Sequence, residues 1–537
     1  MNIRREWLCS GLMKRLLVVI LLSLFSIQLY SQDWLRFYGQ DQNAYAWVVT
    51  EQYDRGFVFG ASLDNQLYGW LFKTDVNGYM LWDKTFGNGN YYMSIRDVEQ
   101  TADGGFILCG STRKYSASMD AYLMKLNACA EVEWCRVLIT SGNYELGPRV
   151  KPTPEGDYVL LGAYFETNPA SNISLFKFNG NGDLIWHQFY PMDSIYYEDQ
   201  PKDLIVDHDG YLILNGRYYP DSGTTGPAII RHHFLKTDTA GNKIWDLVYG
   251  ANSNFYGNPW AVTKSNNGDY YEVGYRLDFP VGISPSCLIK VKHDGTPSYN
   301  AMISGEESGG LGSIDFLFDS LLVMMGAWYE NSIKHDGFIK TDTLGNLIQL
   351  KDVYQGSNSY YYATKTIDNK FIALNNDATG ANWKIFAIKV KSDLEYDTIY
   401  TQTFTYDSMC PQTIVSDTVD PMCDNVYVSI EEPFRDPEIT RLKIFPSPAD
   451  DIVTIEMPEY LMAHDTSGAV PIVTVYHQWG TASLEVYDLS GKQVFRKEVA
   501  KAEKEFRLDV SNWDRGIYVF RLLYNNRTVA AEKLIIK

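Results

Sequence analysis

The stretch FLKTDTAGNKIWDLVYG, residues 234–250, decides the fold because close copies of it recur along the chain. The copies include LFKTDVNGYMLWDKTFG (71–87), LFKFNGNGDLIWHQFY (175–190) and FIKTDTLGNLIQLKDVY (338–354). Each copy has a Lys at the end of an apolar run, then a turn with Asp or Asn and Gly. Catalytic and metal-binding loops usually occur once or twice in a chain, so this recurrence indicates an architectural repeat.

The repeated Lys marks seven copies that lie 49 to 59 residues apart: Lys73, Lys125, Lys177, Lys236, Lys290, Lys340 and Lys389. In the first four copies a Trp follows nine residues later, at Trp82, Trp134, Trp186 and Trp245. Each copy contains four apolar or β-branched runs separated by Gly, Asp and Asn turns. No long segment with a 3.6-residue period interrupts them. The pattern predicts an all-β fold, a seven-bladed β-propeller over residues 32–405.

Two segments compete to close this ring. The phrase WLRFYG (34–39) matches the fourth-strand phrases WDKTFG and WDLVYG and could supply the outermost strand of the last blade. Alternatively, DTIYTQTF (397–404) completes that blade from its own end. We expect the recurrent Trp to pack between blades. The recurrent Lys should cover a strand edge with its stem, while its ammonium reaches water or an Asp of the following turn.

Composition and the N-terminus indicate an exported protein. Of 537 residues, 45% are hydrophobic and 14% aromatic, and the net charge of −19 argues against a nucleic-acid partner. The stretch MKRLLVVILLSLFSIQLYSQ (13–32) has two basic residues, a short apolar run and a small residue before Gln32. This layout predicts a signal peptide over residues 1–31, with Met13 as a possible true start. No other apolar run is long enough to span a membrane once the leader is cleaved.

The cysteines agree with an oxidising compartment. Cys129 and Cys135 flank a turn, and Cys410 and Cys423 flank a short loop, so each pair is expected to form a local disulfide. Zinc is the competing interpretation, but neither pair is a CxxC and no His adjoins either. The Asp-, Pro- and Thr-rich segment 406–440 is then a linker stapled by its own disulfide.

Residues 441–537 alternate like the strands of a small immunoglobulin-like β-sandwich. They resemble the C-terminal (type A) sorting domain of proteins exported by the Bacteroidetes type IX secretion system. The matching residues are Pro446, Pro448, Asp451, Gly491, Gly516, Tyr518 and the closing Lys537. Ser447 departs from the usual Asn, and residues 460–480 look like an insertion. The alternative is a generic adhesive sandwich.

The resemblance implies that the type IX machinery is a partner and that the protein is secreted or held at the outer cell surface. The seven-fold phrase also resembles propeller repeats of secreted proteins from the same group. That likeness implies a fold and a compartment, and no activity.

No sequence motif predicts a catalytic or cofactor site. HExxH, GxSxG, P-loop and GxGxxG patterns are absent from the sequence, so no cofactor and no catalytic residue is predicted. The stretches TDVNG (74–78) and DHDG (207–210) resemble calcium loops but lack the closing Glu, which favours hairpin turns and no metal. His232 and His233 are adjacent on a strand and point to opposite faces, so hydrogen bonding is expected for them.

The variable loops are where the copies differ, and they are rich in aromatic residues. These are the residue types that bind carbohydrates or protein partners. The candidate ligand-binding residues are Tyr91, Tyr92, Tyr144, Tyr196, Tyr197, Phe255, Tyr256, Trp260, Tyr360 and Tyr361. The competing explanation is that they only wedge neighbouring blades apart.

The function expected from these loops is a non-enzymatic binding or adhesion module. The alternative is a glycan-acting hydrolase or lyase with its active site in the central channel, and a third possibility is a structural envelope protein. An enzyme should place a tight set of charged residues on the axis, whereas a binding protein needs only surface aromatics.

Overall fold

The computed structural model describes residues 33–39, 41–115, 119–139, 143–167, 170–190, 198–219, 229–250, 256–277, 285–303, 310–330, 333–353, 361–378, 380, 382–427, 442–456, 482–489, 491–499, 505–524 and 527–537. All regular secondary structure within these residues is β-strand. The chain divides into two compact units, Met1–Ser429 and Ile430–Lys537. The predicted signal peptide lies outside the described residues.

The first unit is a ring of seven antiparallel blades, which confirms the predicted propeller. Blade 1 contains β2 (Tyr45–Glu51), β3 (Phe57–Leu63), β4 (Tyr68–Thr74) and β5 (Met80–Phe86), and blade 2 contains β6 (Met93–Gln100), β7 (Phe106–Thr112), β8 (Asp120–Leu126) and β9 (Val132–Ile139). Blade 3 contains β10 (Asn143–Pro152), β11 (Tyr158–Thr167), β12 (Ala170–Phe178) and β13 (Leu184–Tyr190), and blade 4 contains β14 (Glu198–Asp207), β15 (Gly210–Tyr219), β16 (Ile229–Asp238) and β17 (Lys243–Val248). Blade 5 contains β18 (Tyr256–Lys264), β19 (Tyr270–Leu277), β20 (Ser286–Val291) and β21 (Pro297–Met302), and blade 6 contains β22 (Gly310–Phe318), β23 (Leu321–Glu330), β24 (Ile333–Asp342) and β25 (Leu347–Asp352).

Blade 7 closes the ring with a strand from the beginning of the described chain. It contains β26 (Tyr362–Lys365), β27 (Phe371–Asp377) and β28 (Lys384–Val390), and β1 (Leu35–Tyr38) is its fourth strand. β1 pairs antiparallel with β28, and Leu35 lies opposite Ile388. Of the two closing segments considered, WLRFYG therefore forms the outermost strand of the last blade.

The recurrent Trp packs across the seam between blades, as predicted. Trp82 contacts Phe106 of blade 2, and Trp245 contacts Tyr270 of blade 5, with ring centroids 5.9 and 6.4 Å apart. Trp34 makes the same contact across the closing seam, 5.8 Å from Phe57 of blade 1. The indole nitrogen of Trp34 also donates to the carbonyl of Val76, in the third-to-fourth-strand turn of blade 1, at 2.8 Å. One contact is thus reused at the closing seam.

The recurrent Lys has a structural role, but the partner predicted for its ammonium group was wrong. The ammonium of Lys73 binds Asp54 at 2.5 Å, and that of Lys125 binds Asp103 at 2.8 Å, so both partners lie in the turn that precedes strand two. Strands two and three are antiparallel neighbours. The end of strand three therefore lies beside the first turn, which supplies the carboxylate. Lys73 is fully buried, and it does not simply cover a strand edge.

The segment after the seventh blade corrects the disulfide prediction. The four cysteines form two disulfides, but Cys129 pairs with Cys410 and Cys135 pairs with Cys423. Neither disulfide joins two cysteines of this segment, because the segment runs along the outer edges of two blades. There β29 (Asp417–Val419) pairs parallel with β5, and β30 (Asp424–Tyr427) pairs parallel with β9. We call residues 405–427 the strap.

The second unit has two sheets around its own core. One sheet contains β31 (Lys443–Phe445), β32 (Ile452–Glu456) and β35 (Glu505–Asp509), and the other contains β33 (Ala482–Asp488), β34 (Gln493–Val499), β36 (Gly516–Tyr524) and β37 (Arg527–Ile536). The predicted small sandwich is therefore present. Tyr518 donates to the carbonyl of Asp514 at 2.8 Å, and Gly491 has the positive φ of 83° that its turn requires. The backbone N–H of Lys537 donates to the Ala449 carbonyl at 3.0 Å.

Candidate functional site

The first strands of six blades line a central cavity of about 460 Å³. All the lining residues belong to the first strands of their blades. The lining includes four carboxylates, two cations and two large aromatic side chains: Asp97, Glu99, Asp203, Asp315, Arg149, Lys151, Trp260 and Tyr362. A concave site with convergent polar groups is the default candidate for a binding or active site. We call this cavity the channel site.

A β-bulge recurs at one position of the first strand. In five blades the strand pairing shifts by one residue there, and the extra residues are Trp47, Arg96, Lys202, Trp260 and Gly312. Bulges bend a strand and redirect a side chain, and they are frequent beside functional sites. The extra residues of neighbouring blades meet in pairs. The Arg96 guanidinium lies 3.8 Å from the Trp47 ring centre, and the Lys202 ammonium lies 4.8 Å from that of Trp260.

Three of the channel aspartates join one blade to the next. The two carboxylate oxygens of Asp97 accept the backbone N–H groups of Val98 and of Val150 in blade 3, at 3.1 and 3.0 Å. Asp203 makes the same bridge from blade 4 to Val262 of blade 5. Asp315 makes it from blade 6 to blade 7. These bonds engage both oxygens of each carboxylate, so they hold the ring together.

The remaining carboxylate, Glu99, forms an ion pair with Lys151 of the next blade. The two side chains lie deep in the ring but remain 25% and 27% exposed, because they face the cavity. Burial raises the pKa of Glu99, and the nearby Asp97 adds to that rise. Burial also raises the pKa of Tyr362, which lines the same cavity and interacts electrostatically with Glu99 and Lys151. A shifted, partly accessible carboxylate beside a cation is a candidate reactive group.

Five of the ten predicted aromatic residues have described side chains, and their immediate partners differ. Trp260 lines the channel site. Tyr92 donates to Gln66 at 2.5 Å and accepts from Arg96 at 2.8 Å. Tyr256 stacks with the Arg231 guanidinium at 4.7 Å.

Two other predicted aromatics have structural partners. The Tyr91 hydroxyl donates to Asp420 of the strap, and the buried Tyr361 donates to Asp336 at 2.5 Å. The side chains of the other five lie outside the described residues: Tyr144, Tyr196, Tyr197, Phe255 and Tyr360.

Four of the described histidines form two groups. His232 and His233 are both buried and point apart as expected, since His232 contacts Glu272 at 3.1 Å and His233 contacts Asp246 at 2.7 Å. Within the described part of the chain, one group of side chains could hold a metal ion. It consists of His208, Asp209 and His293, whose ligand atoms all lie within 4.8 Å of one another.

Sequence reasoning considered an active site in the central channel and named Trp260, but it identified neither the charged residues of the channel site nor this histidine group. The channel aspartates lie on ordinary apolar strands, and a bulge leaves no mark in one sequence. The histidine group did leave a mark, because the tripeptide His-Asp-Gly occurs at 208–210 and again at 293–295.

The fold and sites together define an exported propeller with an accessory C-terminal sandwich. Residues 443–537 match the family model of the secretion system C-terminal sorting domain. This domain is the sorting signal of the type IX secretion system, so the protein is exported to the cell surface or secreted. The domain also implies contact with the secretion machinery. No described helix has the length and apolar character needed to cross a membrane.

Comparison with solved structures returns β-propeller proteins at low similarity. A polysaccharide lyase of family PL25, an ulvan lyase, has 9% identity to this chain and a TM-score of 0.46. The alignment covers 66% of this chain and 96% of the lyase chain. The BP39L lectin from Burkholderia pseudomallei has 9% identity and a TM-score of 0.46, and the alignment covers 67% of this chain and 99% of the lectin chain. PorZ, a surface component of the type IX secretion system of Porphyromonas gingivalis, has 10% identity and a TM-score of 0.36. The alignment covers 92% of this chain and 59% of the PorZ chain. No curated protein matches the sequence. The fold assignment therefore rests on the strand pairing itself.

Proposed function

We propose that the protein is a non-enzymatic binding module that holds an acidic carbohydrate at one end of the propeller, around the mouth of the channel site. The observation that carries this proposal is the repeated pairing of an aromatic ring with a cation at that end. The pairs are Tyr92 with Arg113, Trp47 with Arg96, Tyr256 with Arg231 and Trp260 with Lys202, at 3.8 to 6.0 Å.

All four pairs belong to the same end of the blades. Their residues come from the connections into first strands, from the loops between strands two and three, and from the first-strand bulges. Because neighbouring strands are antiparallel, these segments emerge at one end of the ring. A ring face suits the apolar face of a sugar, and the adjacent cation suits a carboxylate or sulfate group. Charge and stacking together favour an acidic sugar over a neutral one.

The channel carboxylates support binding better than catalysis. A charged set does face the axis, which is the arrangement expected of an enzyme. Asp97, Asp203 and Asp315 each accept two backbone N–H groups, one on each oxygen, so all three carboxylates have a structural role in the ring. These hydrogen bonds to backbone N–H groups explain why three aspartates lie on the inner strands of the ring.

The test is a titration of purified, full-length protein with acidic and neutral polysaccharides of similar length. Polygalacturonate and chondroitin sulfate are the acidic probes, and dextran is the neutral one. Acidic chains should bind more tightly than dextran, and the affinity should fall as salt is raised because salt screens the attraction between the cations and an acidic chain. Trp260→Ala should weaken binding by about tenfold or more, equivalent to about 1.4 kcal/mol.

Tyr79→Ala is the matched control, because Tyr79 is 50% exposed and lies in a third-to-fourth-strand turn at the other end of blade 1. It should bind like the wild type. Equal binding of dextran and the acidic chains, or equal losses for Trp260→Ala and Tyr79→Ala, would contradict the proposal.

A glycan-acting hydrolase or lyase is the second candidate, and the Glu99–Lys151 pair beside Tyr362 favours it. These groups could move a proton in a partly dry site. The same titrations should therefore be followed for new reducing ends and for unsaturated products. Turnover by the wild type that Glu99→Gln abolishes would replace the binding proposal with the enzyme.

A further inference from the structure

Two turns with the sequence His-Asp-Gly meet where blade 4 joins blade 5. Residues 208–210 form the turn between β14 and β15, and residues 293–295 lie in the turn between β20 and β21. First-to-second and third-to-fourth-strand turns emerge at the same end of every blade, because the four strands are antiparallel. Folding therefore brings together two histidines that are 85 positions apart in the sequence.

The side chains of these turns form a compact, solvent-accessible group. His293 Nε2 lies 3.0 Å from Asp209 Oδ2, and the rings of His208 and His293 are roughly parallel with centroids 5.7 Å apart. One ligand atom from each of the three residues lies within 4.8 Å of the others. The His208 side chain is 74% exposed and that of His293 is 35% exposed, so an ion has an open approach.

A second observation comes from the residues behind the rings. Asp207 contacts His208 Nδ1 at 2.8 Å. The Tyr270 hydroxyl donates to the other oxygen of Asp207 at 2.8 Å and lies 3.1 Å from His293 Nδ1. Both imidazoles are thus held by Nδ1, and their Nε2 atoms are left for the group in front. Histidines that bind metals are typically oriented in this way, with the second ring nitrogen bound to a carboxylate or another polar group.

The neighbouring cations leave one ligand position on Asp209. The Lys236 ammonium lies 2.8 Å from Asp209 Oδ1, whereas Oδ2 faces His293. Lys264 contacts Asp207, the residue behind the rings. The two lysines balance the two aspartates, so an incoming cation meets a site that is close to neutral. A carboxylate oxygen and two imidazole nitrogens are a donor set suited to zinc and similar ions.

We propose that His208, Asp209 and His293 form a binding site for a divalent transition metal ion of the zinc type. Ligand distances of about 2.0–2.2 Å in a tetrahedral site place the ligand atoms about 3.4 Å apart. The widest separation must therefore shrink by roughly 1.4 Å on binding. The exposed His208 can supply that movement by side-chain rotation. The ion links blade 4 to blade 5 and leaves a fourth position for water or an external ligand.

The experiment uses the full-length protein without an affinity tag, treated with a chelator and dialysed. Zinc chloride is titrated by calorimetry, and the melting temperature is measured with and without zinc. One ion should bind per chain and raise the melting temperature, since a ligand that binds only the folded state stabilises it. His208→Ala and His293→Ala should each lose this binding and this shift.

His335→Ala is the matched control, because His335 also pairs with a carboxylate, Asp352, at 2.9 Å, but lies in blade 6. It should bind zinc like the wild type. His208 is mostly exposed, so its variant keeps the test valid if His293→Ala fails to fold. The proposal is overturned if the wild type binds no zinc at millimolar concentration, or if His208→Ala binds as well as His335→Ala.

Discussion

Replacing Gly78 by Ala tests the seam at which the propeller closes. Gly78 lies in the turn after β4 with φ of +77°, and a Cβ there would lie 2.8 Å from Trp34 Cζ2 and 2.7 Å from Arg36 Cγ. Trp34 is fully buried and its indole nitrogen donates to the Val76 carbonyl at 2.8 Å. The indole therefore cannot move aside without losing that bond and its contact with Phe57.

Two costs add at this position. A non-glycine residue held at positive φ costs about 1–2 kcal/mol. An extra carbon in a filled space costs about 1–3 kcal/mol more. Gly78→Ala should therefore lower the free energy of unfolding by about 2–5 kcal/mol. Gly156→Ala is the matched control, because Gly156 has φ of +86° and nothing lies within 4 Å of its added Cβ. It should lose only the first cost.

The assay is urea-induced unfolding of the full-length oxidised protein, followed by tryptophan fluorescence and circular dichroism. A double variant isolates the contact. When Trp34 is already Ala, only the flexible Arg36 side chain remains beside residue 78, and Gly78→Ala should cost little more than Gly156→Ala does. Equal losses for Gly78→Ala and Gly156→Ala in the wild-type background would refute the packing of Trp34 against this turn.

Three further changes should alter stability in the same urea assay. Replacing both Cys135 and Cys423 by Ser should cost about 3 kcal/mol, because the bond they form closes a loop of roughly twenty residues once the other disulfide is present. Lys73→Met should cost about 3–5 kcal/mol, since it leaves buried carboxylates without their cation. The third change concerns Asp246. Burial tends to raise the pKa of its carboxyl group, but the hydrogen bond from His233 and the nearby cations lower that pKa to about 2. The carboxylate therefore stabilises the fold above its ordinary pKa near 3.9, and that stability is lost between about pH 4 and pH 2. Asp246→Asn should flatten the decline over that window, and an unchanged decline would contradict this assignment.

The blade architecture was predictable because one phrase carries several structural duties at once. In FLKTDTAGNKIWDLVYG, Asp238 accepts the backbone N–H groups of Ala240 and Asn242, and Gly241 takes the positive φ of the turn. Trp245 packs on the next blade, and Lys236 pairs with the preceding turn. Residues that serve the repeat must recur with it, so counting copies was enough to predict seven blades.

The disulfide pairing was not predictable from spacing. Short separations made the local pairs plausible, because a loop of that size can close a disulfide easily. The strap instead runs parallel to β5 and then to β9. This course brings Cys410 beside Cys129 and Cys423 beside Cys135. Parallel pairing of a late segment with an early blade is a long-range event, and nothing local in either segment signals it.

The candidate sites divide in a similar way. Variation between copies predicts that the aromatic loops bind a ligand, and one of their residues, Trp260, lines the channel site. The channel aspartates were missed because each looks like a single polar residue on an apolar strand. Their partners are backbone N–H groups of the next blade, which a sequence does not identify. The meeting of His208 with His293, in contrast, follows from antiparallel blades once the two His-Asp-Gly turns are placed on them.

The bulge position separates scaffold from function most clearly. At the seams the same residue types recur, with Trp34, Trp82 and Trp245 making one kind of contact with the next blade. At the bulge the backbone feature recurs in five blades, yet its extra residue changes from Trp to Arg, Lys, Trp and Gly. If the bulge served only the fold, one residue type would suit every blade. A repeated backbone that presents different side chains around one axis suits a ligand that is not itself seven-fold symmetric. Variation at this position therefore adds a second reason to test the channel mouth as a binding site.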